Sequence, residues 1–508
     1  MGLFNKSAPF AMDKINRRRF LAIAAASCAG LKGLAQETPH TAKLTLRRDV
    51  SLQTVPSEFA GLSYELMELA DAACFSPDNH PLIEQFRFIS PRGVLRLGGN
   101  TSDFSYWKPS SQSPMPSRRP AHPFGTPPME DKPFPVTPEA LQRLRGFLDA
   151  TGWTCIYGIN LATNVPPVAV NEAAAVTRIL GDKLRYLQIG NEPDRYAINK
   201  RRDPVTWGPD AYLKEWLSFA EPIAAQVPDA FLGLPDMAAK PDWFAAVVEA
   251  LKDSPLLSRV AMLTYHYYED GPATNPNMNI PNLLHSNTGV TEDADVVRGA
   301  ADILHLPWRM TEGNTCWSGG KPGVSDVFAS ALWAADYMLL HASFGCAGIN
   351  MHGGNGNTVA YSPTGKIPGD ALPGDDLLRM AHSSFAAHPH PYYTPIARIN
   401  GIYVAQPMAY GMRFASLLAG LRMISIDWDP GPVNATAYAA LTAAGKRLVV
   451  IINKDSTRPV KADLRGYVAE LSLTGPSLES RSAMLGKPSV GQRMAVVAPA
   501  SAVLFRET

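Results

Sequence analysis

Arg185-Tyr-Leu-Gln-Ile-Gly-Asn-Glu-Pro-Asp194 begins as a short apolar run of the kind a buried strand needs and stops on an amide, a carboxylate and a proline. Pro193 has no N–H to give to a ladder, so regular pairing ends there. Asn191 and Glu192 are thereby set where a buried strand emerges from one end of its sheet. A carboxylate in that position is tolerated when it is exposed or paired, so a facing partner is the thing to look for in the rest of the chain.

Outward from this stretch the same unit recurs. Strand-like runs fall at 59–67, 93–97, 154–160, 185–191, 231–235, 260–267, 307–312 and 347–352. Helical patterns follow them at 82–89, 139–150, 171–180, 211–225, 243–251, 294–305, 324–342 and 407–418. Strand then helix, eight times over, predicts an α/β fold of the (β/α)8 TIM-barrel type over 57–420. The last 90 or so residues instead read as short strands separated by turns, at 423–428, 437–441, 447–452, 460–463, 468–473 and 495–505, which predicts a C-terminal β-sandwich. The strand at 43–50 precedes the barrel and has no partner there, so the expected second domain is 41–56 plus 421–508. Residues 109–138, crowded with proline and serine, read as a long irregular loop.

The 508 residues carry a formal net charge of +1, but the balance is uneven. Six Lys/Arg against one Asp lie in 1–35, so removing a net +5 leaves the remainder at −4. That excludes the broad basic surface of a nucleic-acid binder. Asn16-Arg-Arg-Arg-Phe-Leu21, the apolar run Leu21–Cys28 and Gly33-Leu34-Ala35 resemble a twin-arginine export signal with a small-residue cleavage site. The apolar run is far short of the ~20 residues that span a bilayer, so the expectation is an exported, periplasmic or extracellular protein without stable membrane insertion. Cys74, Cys155, Cys316 and Cys346 have no metal-site spacing, and their pairing cannot be deduced from sequence. The basic clusters Arg118-Arg119 and Lys200-Arg201-Arg202 are expected to be solvated surface charge.

In such a barrel functional side chains gather where strands feed their following loops. Strand 2 ends in Arg96-Leu-Gly-Gly-Asn100, strand 4 in Asn191-Glu192, strand 6 in Tyr265-His266-Tyr267-Tyr268, and strand 7 in Met310-Thr311-Glu312-Gly313-Asn314. Glu192 and Glu312 can therefore face one another across the central cleft. Two carboxyls about 5–5.5 Å apart are what retaining glycoside hydrolysis requires, one as proton donor and one as nucleophile. His266, Tyr267 or Tyr268 and Arg96 are placed to hydrogen-bond the nucleophile and keep it charged. The chemistry needs carboxylates and water, with no metal or cofactor. Gly98-Gly99 and Gly353-Gly354-Asn355-Gly356 lack the Lys-Ser/Thr ending of a phosphate loop and read as places of close backbone approach.

These residues carry a resemblance. Leu95-Arg-Leu-Gly-Gly-Asn100 through Asp103-Phe104, Tyr157-Gly-Ile-Asn160, Ile189-Gly-Asn-Glu-Pro193, His266-Tyr-Tyr268, Thr311-Glu312, and Ser325-Asp326 with Phe328-Ala329 and Trp333 resemble, in order, glycoside hydrolase family 79 of clan A, the family of heparanases and β-glucuronidases. The resemblance implies Glu192 as acid/base and Glu312 as nucleophile, with Asn191 on the sugar 2-hydroxyl and Tyr268 or Tyr267 supporting Glu312. It places the glucuronate carboxylate on Ser318-Gly319-Gly320 and Tyr361, and adds Glu65, Asn100 and Asn160 as substrate contacts. One departure stands out: where the family has a tyrosine five residues after the nucleophile, this chain has Trp317. Indole has an N–H donor and no hydroxyl, which weakens carboxylate recognition or turns the site toward a neutral or modified sugar. The implied substrate is carbohydrate, cleaved exo-fashion, since a highly sulfated chain bound endo-fashion needs more positive charge than this surface carries.

Overall fold

The computed structural model describes residues 41–113, 133–199, 201–273, 275–285, 288–317, 319–355, 390–399, 401–488 and 495–508, with the backbone alone at 48–52. The expected export signal, Arg118-Arg119, Lys200, Ser318 and Tyr361 lie outside the described residues.

Eight parallel strands close into a barrel: β2 (Ala60–Glu65), β3 (Val94–Gly98), β4 (Thr154–Ile159), β5 (Leu184–Ile189), β6 (Leu232–Met237), β7 (Val260–Asp270), β8 (Trp308–Cys316) and β9 (Ile349–His352). β2, β3, β4 and β8 are buried along their whole length, as parallel strands covered on both faces must be. That explains their near-continuous apolar runs. The covering helices are α1 (His80–Ile89), α2 (Pro138–Thr151), α3 (Pro166–Leu180), α4 (Pro209–Gln226), α5 (Phe244–Leu251), α6 (Thr288–Leu304), α7 (Phe328–Ser343) and α8 (Pro407–Ala415). Helix α2 shows how local sequence sets such an element. The Thr137 side chain caps it by accepting from the Ala140 N–H, Pro138 occupies the first turn, and Gly152 ends it at φ 80°.

Strand β1 (Thr41–Thr54) lies outside the barrel and pairs antiparallel with β10 (Arg422–Asp429), from Lys43↔Asp429 to Thr54↔Arg422. With β11 (Ala435–Leu441), β12 (Arg447–Asn453), β13 (Val460–Ala462), β14 (Tyr467–Thr474), β15 (Met484–Gly486), β16 (Ala495–Val497) and β17 (Ser501–Glu507) it forms one nine-stranded sheet, ordered β15-β14-β17-β12-β11-β10-β1-β13-β16. The run expected as one strand at 495–505 is two strands, β16 and β17, with Ala500 at φ 46° between them. Period-2 alternation divides this sheet between two cores. Leu448, Val450 and Ile452 join the large core shared with the barrel helices. Val449 and Ile451 join an outer core with Val460, Val497 and Phe505.

Candidate active site

Polar side chains line the C-terminal end of the barrel strand by strand: Glu65 on β2, Arg96 on β3, Asn191 and Glu192 just past β5, Asp236 on β6, His266 and Tyr268 on β7, Glu312 on β8 and His352 on β9. Two irregularities aim the central ones. The β7–β8 register jumps from Met310↔Tyr265 to Glu312↔His266, so Thr311 is an extra residue that turns Glu312 to the position opposite His266. The β6–β7 register jumps likewise from Pro235↔Thr264 to Met237↔Tyr265, with Asp236 as the extra residue. Bulges of this kind re-aim side chains. Asp236 (φ 60°) and Glu192 (φ 48°) both hold left-handed backbone, each at a cost of about 1–3 kcal/mol. The Glu192 N–H donates to the Asp236 carbonyl at 3.0 Å, so the two strained residues fix one another.

One oxygen each of Glu192 and Glu312 and a ring nitrogen of His266 lie within 4.8 Å of one another. Glu312 is the more enclosed carboxylate, its side chain 7% exposed against 16% for Glu192. Arg96 Nη1 donates to Glu312 Oε2 at 2.5 Å, and the Tyr268 hydroxyl donates to Oε1 at 2.9 Å. Burial works to raise the Glu312 carboxyl; His352, His266 and Arg96 outweigh it and hold the group at about 2. His352 itself is pushed down to about 4 by burial. Near neutrality it is therefore uncharged, and the low position of Glu312 rests there on His266 and Arg96.

Arg96 is the buried centre of the site. Its Nη2 donates to Asn191 Oδ1 at 2.6 Å and pairs with Asp236 Oδ2, its Nε donates to Gln188, and its Nη1 also reaches Ser63. His266 bonds Glu192 rather than the expected Glu312: Nδ1 lies 3.0 Å from Glu192 Oε1. Nε2 is 2.9 Å from Asp236 Oδ1, an ion-pair contact off the N–H axis. The cluster has metal-donor chemistry, but both ring nitrogens of His266 face carboxylates, and Glu312 is engaged by Arg96 and Tyr268. The donor set is organised for holding charge and protons.

Of the other expected contacts, Asn191 is buried with its Nδ2 unpartnered. Glu65 accepts from the Thr101 N–H (2.8 Å) and hydroxyl (2.6 Å) and from the Asn100 N–H (3.3 Å), and its Oε1 is 3.7 Å from His352 Nε2. Burial, with the charge of Glu312, raises Glu65 to about 8. Asn100 contributes its backbone there, and the residue is exposed. The Asn160 amide is committed to the scaffold, donating to Asp103 O, Ser105 O and Thr163. Strand alternation separates the two tyrosines left open by sequence: Tyr268 meets Glu312, while Tyr267 stacks on Tyr337 of α7. Trp317 is 46% exposed, with its ring against Gly271. Gly319 and Gly320 take φ 89° and 84°, and the Gly319 carbonyl accepts from the Tyr392 N–H.

Asp236, His352 and Tyr393 were not singled out from sequence. Asp236 lies one residue past the expected strand boundary and one before the observed end at Met237, and His352 ends strand β9; the strand-end rule that found Glu192 would have found both. Tyr393 packs near Tyr268 and His352 (ring centroids 6.3 and 5.9 Å) from a segment without periodicity. Arg201 and Arg202, expected in solvent, are instead paired: Arg201 is buried against Asp103 at 3.1 Å, and Arg202 binds Glu215. Cys74, Cys155, Cys316 and Cys346 are buried free thiols.

No protein-family model matches the chain. Among curated proteins it is 26% identical over 294 residues to a β-glucuronidase of Aspergillus niger, covering 53% of each, and 24% identical over 400 residues to a β-glucuronidase of Neurospora crassa, covering 73% of this chain and 66% of that one. The match thus spans about half the length of the first relative and just under two thirds of the second. Among solved structures it resembles a 4-O-α-L-rhamnosyl-β-D-glucuronidase from Fusarium oxysporum (TM-score 0.62, 16% identity, 91% of this chain and 98% of that one). It also resembles a family 51 arabinofuranosidase from Xanthomonas axonopodis pv. citri (TM-score 0.63, 12% identity, 92% and 100%). The chain is thus similar in sequence to two fungal β-glucuronidases, in line with the family 79 resemblance of its motifs.

Proposed function

We propose that this protein is a retaining, exo-acting β-glycosidase, and that its substrate is a terminal β-linked glucuronide. The observation that carries the reading is the approach of Glu192 and Glu312, one oxygen of each lying within 4.8 Å of the other. That is near the ~5–5.5 Å of retaining pairs and well inside the ~6.5–9.5 Å that leaves room for an inverting water. Glu312, ionised between Arg96 and Tyr268, attacks the anomeric carbon while Glu192 gives its proton to the departing glycosidic oxygen. The C1–O bond to the aglycone breaks as the Glu312–C1 bond forms. Glu192, now a carboxylate, takes a proton from water, and the resulting hydroxide equivalent displaces Glu312 from C1. The unpartnered Nδ2 of Asn191 is the donor left for a sugar hydroxyl. The curated relatives named β-glucuronidase support the choice of sugar, with Gly319, Gly320, Ser318 and Tyr361 as the carboxylate-recognising set and the N-terminal segment as an export signal.

Exposed Trp317 favours a second reading, a β-glycosidase for a neutral or modified sugar. An aryl β-glucuronide assayed beside the β-glucoside, β-galactoside and β-xyloside separates the two: glucuronide preference is expected, and its absence overturns the sugar assignment. Glu312→Gln should abolish both turnover and covalent labelling by a mechanism-based inhibitor. Retained turnover overturns the mechanism, and a wild-type protein that binds these sugars without turnover is a carbohydrate-binding protein instead.

A further inference from the structure

We propose that Asp236 is a positioning residue for the acid/base, acting on Glu192 through His266; this rests on the acid/base and nucleophile reading above. The geometry is a single connected chain. Asp236 Oδ1 stands 2.9 Å from His266 Nε2, and Nδ1 of the same ring stands 3.0 Å from Glu192 Oε1. Asp236 Oδ2 pairs with Arg96 Nη2, and Nη1 of that guanidinium holds Glu312 Oε2 at 2.5 Å. The carboxylate is itself fixed: Gln188 Nε2 donates to it at 2.7 Å, the Thr311 hydroxyl donates to it, its own backbone N–H meets Thr264 Oγ1 at 3.1 Å, and its carbonyl takes the Glu192 N–H. Asp236 is 1% exposed, too enclosed to meet a substrate. A buried carboxylate with four partners on left-handed backbone is a costly feature, and both of its cationic partners lead to the reacting pair.

Its effect follows from the charges around His266. That ring is faced by Asp236 from β6, Glu192 from the end of β5 and Glu312 from β8, with Arg96 of β3 on the other oxygen of Asp236 and Asp194 and His352 further out. Burial alone would discharge it; Asp236 and Glu312 outweigh burial and raise it to about 10. As an imidazolium it has N–H on both nitrogens. Nδ1–H occupies Glu192 Oε1, so the transferable proton sits on Oε2, and the same N–H stabilises the carboxylate left when that proton departs. Without Asp236 the ring loses its main reason to stay charged, and the donor that holds Glu192 Oε1 loses its charge.

The test is Asp236→Asn, which keeps the shape and removes the charge, assayed with a 4-nitrophenyl and an alkyl glycoside of the preferred sugar. The expected kcat/KM loss is on the order of 100-fold for the alkyl glycoside, whose departure needs the acid, and only several-fold for the aryl one. The alkaline limb of the pH profile should move downward, because His266, no longer faced by the Asp236 carboxylate, gives up its proton at lower pH. His266→Gln, uncharged but still a donor, should reproduce the split between the two substrates, and it decides the matter alone if Asp236→Asn does not fold. Equal losses on both substrates with an unmoved alkaline limb overturn the proposal. Glu192→Ala run in parallel with azide isolates the underlying reading. Azide should attack C1 of the glycosyl-enzyme, break its bond to Glu312, release the β-glycosyl azide and speed turnover of the aryl substrate. If that variant keeps full activity, the acid/base assignment itself has failed, whatever Asp236→Asn does.

Discussion

At the residue scale, Glu312 is a carboxylate kept ionised in an enclosed place by two donors, one on each oxygen. A hydrogen bond to a charged group is worth about 1.5–3 kcal/mol, and 1.4 kcal/mol is about one pKa unit. Tyr268→Phe removes the donor to Oε1 and leaves Arg96 on Oε2. The acid limb of kcat/KM should therefore move up by about one unit, measured as a pH–rate profile; an unmoved limb means that the hydroxyl does not hold the charge. Glu65 behaves in the opposite sense. Its folded-state value, about 8, lies above that of an ordinary carboxyl, so its contribution to stability is complete in acid and is lost as pH rises through that value. Glu65→Gln, a mimic of the protonated form, should lose less Tm than wild type between about pH 6 and pH 9; parallel losses overturn this. Glu192, Glu312 and Arg96 were legible because each sits at or beside a strand end in a recognisable run. Asn160 was legible as a polar strand end, but strand position alone does not tell a substrate contact from a loop anchor. Tyr393 belongs to no element that sequence pattern can define.

At the element scale, the eight strands and helices fall within a few residues of where their periodicity puts them, because a parallel barrel demands long apolar strands and one-faced helices. Bulges leave no such trace. Thr311 and Asp236 each insert one residue without altering composition, and each decides where a carboxylate points. The tie between α7 and the sheet is another contact that no local pattern announces. Asp336 accepts from Thr436 and Tyr438 of β11, both at 2.6 Å, and pairs with Lys454 at 2.6 Å. The Lys454 side chain is 2% exposed. Asp336→Ala strands that ammonium, and removing one partner of a buried pair costs about 3–5 kcal/mol. The urea midpoint should drop accordingly while kcat per folded molecule stays near wild type, since Thr436, Tyr438 and Lys454, which Asp336 holds, belong to the sheet and not to the site. An unchanged midpoint would show the tie to be energetically idle.

At the scale of the whole molecule, the barrel and the nine-stranded sheet share one core. Tyr438, Leu448, Val450, Ile452, Leu473 and Leu504 belong to the same buried cluster as Phe328, Leu332 and Met412 of α7 and α8. Sequence pattern separates these regions because their periods differ, and an apolar alternation does not reveal what its buried face touches. Physically they are inseparable. Burial of apolar surface is worth about 25 cal/mol per Å², and the sheet face and the helix faces each supply half of what the other buries. Strand β1 strengthens the coupling, since it enters the sheet from the N-terminal side of the barrel and pairs with β10 from Lys43 to Thr54. The chain over 41–508 should therefore unfold in one calorimetric transition, with van't Hoff and calorimetric enthalpies agreeing. A chain ending at 420 should lose the barrel along with the sheet, because it exposes the apolar faces of α7 and α8 and leaves β1 without its partner. Two separable transitions, or a soluble, cooperatively folded 41–420, would show that the barrel stands alone and that the sheet is an accessory.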